Sequence, residues 1–170
     1  MSAVEWIATH VSGGQRLTEE TLALVADFTL IWALFEGTEA HGEDVIVVDE
    51  LQSIAERVSH DFSIQRLDEF VTFWSDRYIA DGSTNHRFDR LNLAHRPHRT
   101  LVENVLIKSD DSLVNKIYAT LLITYRLRNN LFHGAKDIQY LDGQRENLRY
   151  ASDLLKTVLE ASGRYIYHNA

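Results

Sequence analysis

Apolar residues at Leu67, Phe70, Val71, Trp74 and Tyr78 recur at the spacing of a single helix face. They predict a helix over 63–79. An earlier run opens at Thr18, a good N-cap, with Glu19 and Glu20 in the first turn facing the positive end of the helix dipole. Leu17 and Leu22 flank this cap at hydrophobic-staple spacing. This helix is expected to reach Phe35 and end at Gly37. It is apolar on most sides, which argues for a central position. A further helix is predicted over 47–58, although Val45, Ile46, Val47 and Val48 also suit a short strand.

The second half of the chain reads the same way. Asp81-Gly82-Ser83-Thr84-Asn85 has the composition of a loop. A short helix follows over 100–107. Asp110-Asp111-Ser112 opens a long helix to His133, with Gly134 as its C-terminal cap. After a polar connection through Asp142-Gly143, a last helix is predicted over 144–165, with Leu148, Ala151, Leu155, Val158 and Ser162 as its core stripe. The first dozen residues give no pattern.

Five to six helices joined by short connections predict an all-α, antiparallel helical bundle. Composition agrees: eight glycines and one proline stand where average usage gives about 20, too few for a turn-rich β fold. No repeat or linker divides residues 1–170, so a single domain is expected. With no cysteine, disulfides, thiolate metal sites and cysteine nucleophiles are excluded.

The net charge of −8 excludes a basic footprint over the whole surface, so any nucleic-acid site must be a local patch. The apolar run over 22–35 is 14 residues long and carries Asp27. It reads as too short and too charged to span a bilayer, and no membrane association is expected. The first residues, MSAVEWIATH, lack a basic n-region and a long apolar core. A cytoplasmic location is the default expectation.

The candidate chemistry lies in Tyr125-Arg126-Leu127-Arg128-Asn129-Asn130-Leu131-Phe132-His133-Gly134. Two consecutive asparagines in the last turns of a helix cost propensity and ask for a reason. Tyr118, Leu122, Tyr125, Asn129 and His133 share one face. That line should therefore meet a core or a partner rather than water. Arg128 lies about 140° around the helix from His133. The two side chains meet only through arginine reach, a distorted last turn, or a second copy of the helix. In a two-fold dimer, two such helix ends would pool two arginines and two histidines.

The string from Arg128 to His133, with Asn129 directly after the arginine and four intervening residues, resembles the signature of the higher eukaryotes and prokaryotes nucleotide-binding (HEPN) superfamily. The motif-bearing helix pair at about 112–165 extends the resemblance; the rest of the chain matches only in being helical. The resemblance implies a helical homodimer joined through the motif helices. It also implies metal-independent endoribonuclease activity without a cofactor, in a bacterial defence or toxin–antitoxin setting. In such chemistry an RNA 2′-hydroxyl attacks the adjacent phosphate and leaves a 2′,3′-cyclic phosphate. His133 would move protons, as a group titrating near neutrality. Arg128 would stabilise charge on the phosphoryl oxygens. Asn129 would orient the phosphate or the histidine, with Arg126 and Asn130 as further RNA contacts. Members paired with a nucleotidyltransferase antitoxin often carry a tyrosine two residues after the histidine. Ala135 stands at that position, so an antitoxin or regulatory partner of that kind gains little support.

The stretch 86–99 gathers Arg87, Arg90, Arg96 and Arg99 with His86, His95, His98 and the only proline. It suits a phosphate-binding strip beside the motif. A solvated loop that pairs with surplus carboxylates suits it slightly better. A metal site from the three histidines matches no familiar ligand spacing. Trp32, Phe35, Phe70, Phe73, Trp74 and Tyr78 fit a core. No P-loop, dinucleotide fingerprint, H-E-x-x-H or G-x-S-x-G is present. Two functional classes remain open: an RNA-cleaving enzyme, and a non-catalytic HEPN module that binds nucleotides or proteins as an adaptor. A third reading is a helical scaffold outside the family, with the 128–133 segment a plain polar helix end.

Overall fold

A computed structural model of the chain describes residues 1–39, 48–132 and 138–164. Among them are eight α-helices: α1 (Ala3–His10), α2 (Glu19–Glu39), α3 (Val48–Val58), α4 (Ile64–Tyr78), α5 (His86–Asp89), α6 (Arg96–Leu106), α7 (Leu113–Phe132) and α8 (Arg145–Ser162). The only described strands, β1 (Ile79–Ala80) and β2 (Ser83–Thr84), form a two-residue antiparallel hairpin. The all-α class read from the sequence is the architecture of the chain.

The centre of the bundle is α7, which packs against α3, α4, α6 and α8. Every residue from Ile117 to Thr124 is buried. That burial explains the helix's sequence: isoleucines, leucines, alanine and threonines surround its whole circumference, with no polar face for water. The stripe expected on α4 is buried throughout, and Ser63 caps its start by accepting from the Arg66 amide. Fully buried Leu67 and Trp74 each contribute roughly 1.5–3 kcal/mol of transfer free energy.

Several expectations are corrected. The helix expected to be central, α2, is peripheral. Phe28, Trp32 and Phe35 enter the core while Leu30 and Leu34 remain 70% and 49% exposed. It also runs on through Gly37 to Glu39, because burial of Glu39 against Arg57 and Arg164 holds the last turn in place. With 21 residues, α2 is by length and composition apolar enough to cross a membrane, which overturns the length argument made from residues 22–35. Nor is the bundle wholly antiparallel. Glu20 meets Arg145 and Arg149 where α2 and α8 begin, and Glu39 meets Arg164 where they end, so this pair runs parallel. Short connections dictate antiparallel packing only for helices adjacent in sequence, and these two are far apart in the chain.

Two elements went unforeseen. One is α1, closed by a capping box in which Ser2 and Glu5 satisfy each other's amides. The other is the hairpin. Its Asp81 and Gly82 both have positive φ, 52° and 74°, the requirement of a type I′ turn that an Asp-Gly pair meets. The helix expected over 100–107 begins earlier, at Arg96, because Pro97 lies in its first turn, where a missing amide hydrogen costs nothing. The last helix stops at Ser162, short of the expected 165, with Gly163 left-handed (φ 59°) as its cap. Of the strand suggested over 45–48, Val48 is the first residue of α3; residues 45–47 and the cap at Gly134 lie outside the described residues.

Candidate functional site

Residues 125–132 of the motif segment form the last two turns of α7, and the side chains of Arg126, Arg128 and Asn130 diverge. Arg126 and Asn130, one turn apart, look toward the chain between α5 and α6. There Arg126 Nε donates to the Leu91 carbonyl at 2.9 Å, and Asn130 Nδ2 donates to the Arg90 carbonyl at 3.2 Å. Asn130 is buried. Both side chains satisfy carbonyls that no secondary structure reaches, a structural role beside the RNA contact suggested for them.

Arg128 leaves the opposite side of α7, toward α2. Its guanidinium lies over the Trp32 ring, with Cζ 5.6 Å from the centroid. Nη2 is 4.0 Å from Glu36 Oε2, and Nη1 donates to Asn129 Oδ1 at 3.2 Å. Trp32 and Glu36 are one turn apart on α2, which sets ring and carboxylate side by side on one face. The side chains of Arg128 and Glu36 are 23% and 17% exposed, so their charges are only partly screened by water. Tyr125 closes the same corner, its ring 6.2 Å from Trp32. His133 lies outside the described residues.

The stretch 86–99 divides. Arg99 is committed within its own segment: Nη2 pairs with Asp89 Oδ1 at 2.8 Å, and the guanidinium stacks over Phe88. Arg87, Arg90 and Arg96 are exposed and make no ion pair among the described residues. Through the Arg90 and Leu91 carbonyls this stretch is fastened to the side of α7 opposite Arg128. One protomer can therefore join Arg128 and these arginines only around the end of the helix.

Among the described residues no three His, Asp or Glu side chains come together to hold an ion. Instead His98, with its ring 4.3 Å from His95, meets Tyr118 of α7 edge-on at 5.9 Å. Burial lowers the His98 pKa, the charge of His95 lowers it further, and Asp49 of α3 opposes both. Burial raises the Tyr118 pKa, and Asp49 adds to the rise. His95, Arg96, His98 and Arg99 all crowd the start of α6, the positive end of its dipole.

Packing also bears on the expected dimer. Because Ile117 to Thr124 are consumed within the protomer, a second copy can meet α7 only near its ends. Glu36 and its contact with Arg128 were not foreseen. Nothing in the sequence ties position 36 to position 128 until the fold brings α2 beside the end of α7. The chain matches none of the protein-family models, curated proteins or solved structures with which it was compared.

Proposed function

We propose that the chain is a HEPN-like, metal-independent endoribonuclease whose site forms where the C-terminal ends of two α7 helices meet in a homodimer. The observation that carries the reading is the setting of Arg128. A guanidinium with part of its surface open to solvent is held against an aromatic ring at a helix end, its planar fork steadied by Asn129. Such a group suits the crowded oxygens of a phosphodiester in transfer.

In the proposed reaction the RNA 2′-oxygen bonds to phosphorus and the bond from phosphorus to the 5′-oxygen breaks. One proton leaves the 2′-hydroxyl and one reaches the departing 5′-oxygen. His133 of one or both protomers carries these protons, while Arg128 balances the added charge on the non-bridging oxygens. The exposed Arg87, Arg90 and Arg96 supply further contacts along the RNA backbone. An acting bacterial toxin arrests its host on induction, and His133→Ala relieves the arrest while keeping the wild-type melting temperature. Equal harmlessness of both forms contradicts the toxin reading.

The second reading, a non-catalytic binding or adaptor module, is favoured by one observation: the carboxylate of Glu36 faces Arg128 and offsets the charge a phosphate would seek. A cytoplasmic location is proposed for both readings.

A further inference from the structure

We infer that Asn130 is a positioning residue for RNA: it fixes the backbone that carries Arg90 and so presents that cation, with Arg87 and Arg96, as one pre-set strip for a phosphate backbone. The inference rests on the reading of these three arginines as RNA contacts.

The strip carries uncompensated charge. Within 86–99 the only carboxylate belongs to Asp89, and Arg99 holds it at 2.8 Å. Arg87, Arg90 and Arg96 stay exposed and make no ion pair among the described residues. In a chain of net charge −8 this concentration is an exception, and it suits a strand that releases a counterion at each phosphate contact.

The strip is also held in place. Much of it is a connection between helices, which gains its order only from anchors. Asn85 caps α5 by accepting from the Arg87 and Phe88 amides. Phe88, Leu91 and Leu93 are buried and pin the segment to the core. Between these pins α7 donates to two consecutive carbonyls, from Asn130 Nδ2 to Arg90 and from Arg126 Nε to Leu91. Asn130 is 6% exposed. Its amide serves the Arg90 carbonyl, and little of its surface remains for a phosphate. It therefore acts through Arg90 rather than by touching RNA. Cations already ordered lose less freedom when a strand arrives. Because Asn130 is uncharged, any effect it has on the salt dependence of binding passes through the cations it places.

The test uses the full chain and a fluorescein-labelled, single-stranded 2′-O-methyl oligonucleotide, which lacks the attacking hydroxyl and stays intact. Anisotropy gives the affinity across a salt series, well below the melting temperature of every variant. Each phosphate contact on a single strand contributes about 0.7 to the slope of log affinity against log salt. Replacing Arg87, Arg90 and Arg96 together by glutamine is expected to lower the slope by about 2. Asn130→Ala removes the anchor, and Asn130→Leu removes it while keeping a branched side chain. Both are expected to lower the slope by about 0.7, as Arg90→Gln does, and to weaken binding about fivefold near 0.1 M salt, the weight of one contact over a decade of salt. Asn130→Gln keeps an amide donor and restores the slope. In the Arg90→Gln background Asn130→Ala lowers it no further. If the triple replacement lowers the slope while Asn130→Ala and Asn130→Leu keep the wild-type value, Asn130 is merely structural, and the inference falls while the reading of the strip stands. A loss of slope that persists in the Arg90→Gln background also overturns it. If the triple variant keeps the wild-type slope, or the wild type does not bind, the reading of the strip itself falls, and the inference with it.

Discussion

Arg128 and Asn130 leave α7 on opposite sides. One reaches Glu36 of α2; the other donates to the Arg90 carbonyl in the chain between α5 and α6. Two residues apart on a helix means about 200° of rotation, so adjacent members of one short polar motif do different work. Asn130 and Arg126 fix the fold around the helix end, while Arg128 with Asn129 faces the corner where chemistry is proposed.

The structural half of this division is measurable. Asn130→Ala leaves the Arg90 carbonyl without its partner and is expected to cost about 1–2 kcal/mol, lowering the melting temperature by roughly 2–8 °C. Arg128→Ala, at a partly exposed position, is expected to cost less. Thermal melts of both variants check the order, and a larger loss for Arg128→Ala contradicts the assignment.

Acid should destabilise the protein through His98. Its folded pKa lies below the ordinary value of 6.5, because of burial first and His95 second. Between the two values the unfolded chain binds more protons than the folded one. Stability therefore falls as pH drops through 6.5 and stops falling below the folded pKa. The groups facing His98 are His95 on its own segment, Tyr118 of α7 and Asp49 of α3. Melting temperatures at pH 7.5 and 5 should show a smaller acid loss in His98→Gln than in wild type. An equal loss assigns the acid sensitivity elsewhere.

The two faces of α2 should respond oppositely. Phe35→Ala empties a fully buried site and is expected to cost about 3–5 kcal/mol. Leu30→Gln, on the exposed face, is expected to stay within about 0.5 kcal/mol. Denaturant midpoints measure both. A heavy cost at Leu30 would mean that in solution this face is covered.

Gly82 holds φ of 74° at the tip of the β1–β2 hairpin. A Cβ there meets no atom, so Gly82→Ala isolates the backbone cost, expected at about 1–2 kcal/mol. A neutral result in denaturant unfolding would contradict the type I′ assignment.

Much of the fold was legible because single helices bury single stripes: Leu67, Phe70, Val71, Trp74 and Tyr78 announced α4, and Leu148, Ala151, Leu155 and Val158 announced α8. The rank of the helices was not. Leu30 and Leu34 made α2 look all-round apolar, and only its packing reveals that they point away from the core. The signals for α1 and the hairpin were present in Ser2-x-x-Glu5 and Asp81-Gly82. Both are short, and neither belongs to a hydrophobic run. At the candidate site, Arg128, Asn129 and His133 stood out as one polar segment. The contact between Glu36 and Arg128 did not, because residues 92 apart in sequence become neighbours only through tertiary packing.

The most direct test of the central proposal is cleavage of total RNA and transfer RNA with EDTA present, comparing wild type, Arg128→Ala and His133→Ala and identifying the fragment ends. Cleavage by wild type alone, leaving 2′,3′-cyclic phosphate, is the expected result. Equal cleavage by all three proteins, or fragments with other ends, would contradict it.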